Sequence, residues 1–125
     1  KKNYNHNNYL NNKLTKVYIN IEPLIKYTNI YHIGITFKTY DNTIRYDIGS
    51  FDIKEQIKSN VTSKNILWGI SFKPLNTIIE YENTIIYNYL LGVYDCRHYV
   101  RNLTNWSTGI ASPIWELDKI YNAFE

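Results

Sequence analysis

A chain of 125 residues and 14.9 kDa has the size of one domain, long enough to bury roughly two-thirds of its unfolded surface. Hydrophobic residues make up 44% of it, with 13 Tyr, 4 Phe and 3 Trp, which excludes general disorder, and a single cysteine excludes an intrachain disulfide framework. The net charge of +3 comes from interspersed acids and bases and leaves no basic stripe to neutralise a phosphate backbone, so no nucleic-acid partner is expected.

Asn, Ile, Lys and Tyr dominate the composition, and Lys far outnumbers Arg, as an AT-rich coding sequence would give. The abundance of those four types therefore says little about structure. No uninterrupted apolar run reaches the roughly 18 residues of a membrane span.

Residues 1–12 are Asn-rich and poor in apolar groups, which predicts a flexible tail ahead of a single domain over 13–125. No element is assigned between Lys13 and Asn29. From Ile30 to Phe37 strict alternation predicts a strand, with Tyr31, Ile33, Ile35 and Phe37 on one face and His32, Gly34 and Thr36 on the other. After the turn-prone residues Tyr40 to Thr43, Ile44, Tyr46 and Ile48 alternate with Arg45 and Asp47, which predicts a hairpin with one apolar and one polar face.

Gly49 to Asn65 is weakly patterned, and Ile66 to Phe72 reads as a third strand stopped by Pro74. Helical spacing of Leu75, Ile78, Ile79, Ile85 and Ile86 predicts a helix from about Pro74 to Thr84. Tyr87 to Val93 reads as a short buried strand. Asp95 is a good N-cap for a helix that starts at Cys96, ends before Gly109 and buries Cys96, Tyr99, Val100 and Leu103. Ser112-Pro113 repeats the start signal, which predicts a C-terminal helix carrying Trp115, Leu117, Ile120, Tyr121 and Phe124. The fold class expected is α+β, a small antiparallel sheet packed against helices.

A thiol at a helix N-terminus meets unpaired N–H groups and the positive end of the dipole, both of which favour the thiolate. Cys96 is predicted to occupy such a place; the alternative is a small hydrophobe in the core. His98 is a poor base for it, because residues two apart on a helix do not face each other. His32 is the candidate base, since its same-face neighbour Gly34 leaves room for a helix to approach. Asp47 has the right facing to hold the imidazole in one tautomer, although Arg45 shares that face and the two also suit a solvated edge.

One cysteine and three histidines give no zinc spacing, and no cofactor is expected. The glycosylation sequons at Asn60, Asn102 and Asn105 are what an Asn-rich chain produces by chance.

The segment Tyr89-Leu90-Leu91-Gly92-Val93-Tyr94-Asp95-Cys96-Arg97-His98-Tyr99-Val100 resembles the Tyr-x-Leu-x-x-x-Asn-Cys-Glu-His-Phe-Val segment of lecithin:retinol acyltransferase-like proteins. His32-Ile33-Gly34-Ile35 is similar to the context of the family's histidine base. The resemblance implies a circularly permuted papain-like domain in which Cys96 is the nucleophile and His32 the base. It also implies a thioester intermediate whose acyl group passes to water, an amine or an alcohol. Asp95 and Arg97 stand where the family has Asn and Glu, and Asp47 takes the third polar place by position alone.

Tyr94-Asp95-Cys96-Arg97-His98-Tyr99-Val100, followed by Leu103-Thr104 with Trp106 and by Pro113-Ile114-Trp115, resembles a core protein family of baculoviruses and related large arthropod DNA viruses. This likeness covers roughly residues 30–120. It implies a viral protein inside an infected host cell, in nucleus or cytoplasm, with virion or membrane association. The substrate implied is an acyl, lipid or peptide group. A non-enzymatic alternative keeps the scaffold and uses Trp106, Trp115 and Phe124 to bind a membrane or a viral or host protein.

Overall fold

The computed structural model describes residues 14–23, 31–48, 63–86 and 95–123. Strand β1 (Thr15–Pro23) places Thr15, Val17, Ile19 and Ile21 on one face, all fully buried. It is one of the two interior strands of the sheet, in a region where the sequence alone predicts no element. Its antiparallel partner β2 (Tyr31–Lys38) aligns Ile33 with Ile21, Ile35 with Ile19 and Phe37 with Val17, so two alternating strands pool their apolar faces.

Strand β3 (Thr43–Tyr46) pairs with the outer side of β2, and β4 (Lys64–Ser71) with the outer side of β1. The result is a four-stranded antiparallel sheet in the order β3-β2-β1-β4. Strand β4 is the predicted third strand, starting and ending slightly earlier. Its register on β1 shifts between Val17 and Tyr18, a bulge that leaves Ile66 buried and Leu67 half exposed.

Helix α1 (Leu75–Thr84) starts after Pro74, as proline geometry favours, but of its apolar residues only Ile78 is buried. Ile85 and Ile86 lie past its end, and Ile86 is exposed. Helix α2 (Cys96–Thr108) buries Cys96, Tyr99, Val100 and Leu103 as spacing predicts, and Thr104 and Ser107 besides. Those two hydroxyls reach this burial by donating to the carbonyls of Val100 and Leu103 one turn back, at 2.9 and 2.6 Å. Gly109 ends the helix at φ 80, a left-handed cap.

The buried side chains of β1, β2, β4, α1 and α2 form one cluster, joined by Leu117 from helix α3 (Leu117–Ala123). Against β4, Thr108 of α2 fits where Gly69 has no side chain. The described residues thus form an α+β domain with a small antiparallel sheet and three helices.

One helix start differs from expectation. The amide of Ser112 donates to the Thr104 hydroxyl at 2.9 Å, and the C-terminal helix begins at Leu117. Ser112 is a buried anchor on α2, not a cap. The expected tail, the region 49–62, the strand Tyr87 to Val93, the sequon at Asn60 and Phe124 lie outside the described residues. Among the described residues no helix is long and apolar enough to cross a membrane.

Candidate active site

Cys96 is the first residue of α2 and is 6% exposed. Its place is fixed by Asp95, whose carboxylate accepts from the Arg97 amide at 3.0 Å while its carbonyl accepts from the amides of His98 and Tyr99 at 3.0 and 3.1 Å. Those bonds engage three first-turn donors and leave the amide of Cys96 itself outside them.

Arg97 closes the cap from the other side. Its Nη2 and Nε donate to the two Asp95 oxygens at 2.6 and 2.9 Å, its Nη1 donates to the Ile114 carbonyl at 3.3 Å, and its guanidinium lies 4.8 Å from the centre of the Trp115 ring. A carboxylate 1% exposed is stable here because a fork of donors surrounds it. His98 completes the cap, its Nδ1 lying 3.2 Å from the Asp95 amide nitrogen. His98 therefore holds the helix start.

His32 sits on β2, on the face opposite Ile33 and Ile35, and is also 6% exposed. Its Nε2 lies 3.0 Å from Oδ1 of Asp47, the residue that follows β3. The other ring nitrogen, Nδ1, is buried and makes no aligned hydrogen bond. The Cys96 side chain reaches the ring closely enough to act on its basicity by hydrogen bonding and by charge. With Nε2 taken by Asp47, Nδ1 is the nitrogen left for the thiol.

Burial alone pushes the His32 pKa down, but hydrogen bonds to Asp47 and Cys96, and the negative charges on both, outweigh it and raise the value to about 9. Burial pushes the Asp47 carboxyl up, and hydrogen bonds and charge from His32 and Arg45 more than offset this and hold it below the usual carboxylate range. Arg45 makes that contact as a fork, Nε to Oδ2 at 2.6 Å and Nη2 to Oδ1 at 3.2 Å.

The structure thus brings Cys96, His32 and Asp47 into one chain of contacts from a helix cap to a hairpin. Gly34 departs from its expected role: the space its missing Cβ leaves is filled by the Asp47 carboxylate, not by an approaching helix. Arg45 acts as the anchor of Asp47, which its same-face position did not by itself distinguish from competition. A third feature went unread. Thr36 donates to Asn20 at 2.7 Å, and Asn20 donates to Asn65 at 2.6 Å, forming a polar strip across β2, β1 and β4 on the face that carries His32. Its signal was a buried Asn at a polar position of the alternation in β1.

No group of three or more His, Cys, Asp or Glu side chains among the described residues is arranged to hold a metal. No family model, curated protein or solved structure matches this chain.

Proposed function

We propose that this protein is a thiol hydrolase or acyltransferase of the circularly permuted papain-like kind, with Cys96 as nucleophile and His32 as its proton partner. The observation that carries this reading is the buried Nδ1 of His32, which makes no aligned hydrogen bond, on a ring whose Nε2 is held by Asp47 and whose basicity the nearby Cys96 side chain raises. Most buried side-chain polar atoms are hydrogen-bonded, so a buried imidazole nitrogen without an aligned partner calls for an explanation, and a thiol beside it supplies one. The likeness of the Cys96 segment to lecithin:retinol acyltransferase-like proteins, and to the viral core protein family similar to them, supports the same reading.

In the proposed reaction the Cys96 sulfur, its proton passed to His32, attacks the carbonyl carbon of an ester, thioester or amide. The C–S bond forms as the bond to the leaving group breaks, and His32 returns its proton to that leaving group. Water or another acceptor then takes the acyl group, its proton going to His32 as the C–S bond breaks. The Cys96 amide, left outside the Asp95 cap, is the donor placed to stabilise the oxyanion. A His32 pKa of about 9 means that the ring carries the proton at neutral pH, so it acts chiefly as an acid in this reaction. Acyl chains of lipids and acyl groups of peptides both fit this chemistry, and the viral likeness supports action in an infected cell, at a virion or a membrane.

A second reading, an inactive scaffold that binds a membrane or a protein, is favoured by Trp115, which is 76% exposed. Trp106 does not serve it, because that ring stacks on Tyr81 with centroids 3.9 Å apart.

The deciding experiment is incubation with an acyl thioester probe followed by intact-mass analysis of wild type, Cys96→Ser and His32→Ala. Wild type is expected to gain one acyl group, Cys96→Ser none, and His32→Ala to react roughly 100-fold more slowly. Equal labelling of wild type and His32→Ala would favour the scaffold.

A further inference from the structure

Asp47 and His32 are not facing neighbours in the hairpin. The ladder pairs Ile35 with Tyr46, so Asp47 falls opposite Gly34, and His32 lies two residues further along β2 on the same face. For its carboxylate to come within 3.0 Å of the imidazole, Asp47 must lean along β2 across position 34. A Cβ built on Gly34 runs into that carboxylate, and meets the Tyr46 carbonyl at 3.3 Å. Real Cβ atoms do not approach an oxygen so closely, so any side chain at position 34 displaces the carboxylate. The glycine is not needed for backbone conformation: it lies in regular strand, and among the described residues the positive-φ glycine is Gly109.

From the other side Arg45 holds both oxygens of Asp47. A flexible carboxylate at the end of a strand has open solvent as its alternative, and a two-point fork limits it to one orientation. The geometry points to Gly34 and Arg45 as positioning residues of the thiol site, one clearing the path by which Asp47 reaches His32 and the other fixing the carboxylate in that path. This deepens the proposed thiol chemistry and rests on it for its consequence, while its geometry stands apart from whether Cys96 reacts.

Among the described residues, the charged and titratable groups around His32 are Asp47 and Arg45 from the β3 side, Glu22 directly across the ladder in β1, and Cys96 from α2. Of these, Arg45 gives the sharpest test, because its two possible effects have opposite signs. Removing a nearby positive charge by itself makes an imidazole easier to protonate. Loss of positioning makes it harder, because Asp47 drifts from Nε2.

The test is an NMR titration of the His32 ring in wild type, Gly34→Ala, Arg45→Gln and Asp47→Asn, with stability measured by urea unfolding. The pKa of His32 is expected to fall by more than one unit in Gly34→Ala, as in Asp47→Asn, and by a smaller amount in Arg45→Gln. An unchanged value in Gly34→Ala, or a rise in Arg45→Gln, overturns the assignment. Should Gly34→Ala not fold, the substitution is made in an Asp47→Ala background, where the colliding carboxylate is gone. Recovery of folding there supports the account, and equal failure in both backgrounds contradicts it. Acylation of Cys96 enters none of these readouts, so the positioning claim and the enzymatic reading fail separately.

Discussion

Among the described residues, two Asp–Arg pairs have the same two-residue spacing and different work to do. Asp95 and Arg97 lie at the start of α2, with the carboxylate 1% and the guanidinium 19% exposed. Asp47 and Arg45 lie at the end of the β2–β3 hairpin, 26% and 44% exposed. The first pair caps a helix and answers to its arginine, three first-turn amides and His98. The second spends one carboxylate oxygen on a histidine that faces a thiol. Burial separates their consequences: a largely desolvated pair is bound up with folding, whereas a partly exposed pair can lose its arginine with little effect on stability and still change the chemistry of its neighbour.

The largest effect is expected from breaking the buried pair. Arg97→Leu leaves Asp95 without its main counter-charge and should destabilise the protein by about 3–5 kcal/mol, read from urea unfolding. A cost below about 1 kcal/mol would mean that the cap does not depend on the pair. The matching change in the hairpin, Arg45→Leu, is expected to cost less than about 1 kcal/mol by the same measurement, since its partner remains partly solvated and keeps His32. Comparable losses at the two sites would abolish the distinction.

The hairpin pair should instead show itself in pH dependence. A His32 raised from 6.5 to about 9 contributes stability that is fully present below pH 6.5 and is lost as pH rises through 9. Asp47, held below its ordinary value, contributes stability present above about pH 4 and lost as pH falls through its lower folded value. Unfolding free energy should therefore decline between pH 6.5 and 9, and Asp47→Asn should flatten that decline. A profile unchanged by Asp47→Asn would show that His32 draws its basicity from elsewhere. An effect on stability alone is expected at the far end of α2, where Gly109→Ala places a Cβ in left-handed backbone and should cost about 1 kcal/mol without altering the pH profile.

The same contrast explains what could be read from sequence. The α2 cap was legible because it is local: Asp95, the apolar spacing behind it and Gly109 lie within one helix, and spacing alone puts Cys96 at its start. The facing of His32 and Asp47 was also legible, since alternation fixes faces on both strands of the hairpin. The function of Gly34 was not, because alternation gives a face and not the diagonal lean of a side chain across it. The pairing of Asp95 with Arg97 was hidden for a related reason: each looks like a departure from the related Asn-Cys-Glu pattern, and only together do they form a neutral cap. Strand β1 carries an alternating signal in Thr15, Val17, Ile19 and Ile21, but it directly follows a polar Asn-rich stretch whose composition masks where the strand begins. Ser112-Pro113 misled because a capping signature is local, whereas the Thr104 hydroxyl that claims the Ser112 amide lies eight residues away on another element.

The central claim is that the basicity of His32 is set by Asp47 on one side and by the Cys96 side chain on the other. Its most direct test is the NMR titration of the His32 ring in wild type, Cys96→Ala and Asp47→Asn. A wild-type value near 9 that falls in both variants is the expected result, because each partner contributes to the rise. A value near 6.5, or one that ignores the loss of Cys96, would separate the histidine from the thiol and contradict the account.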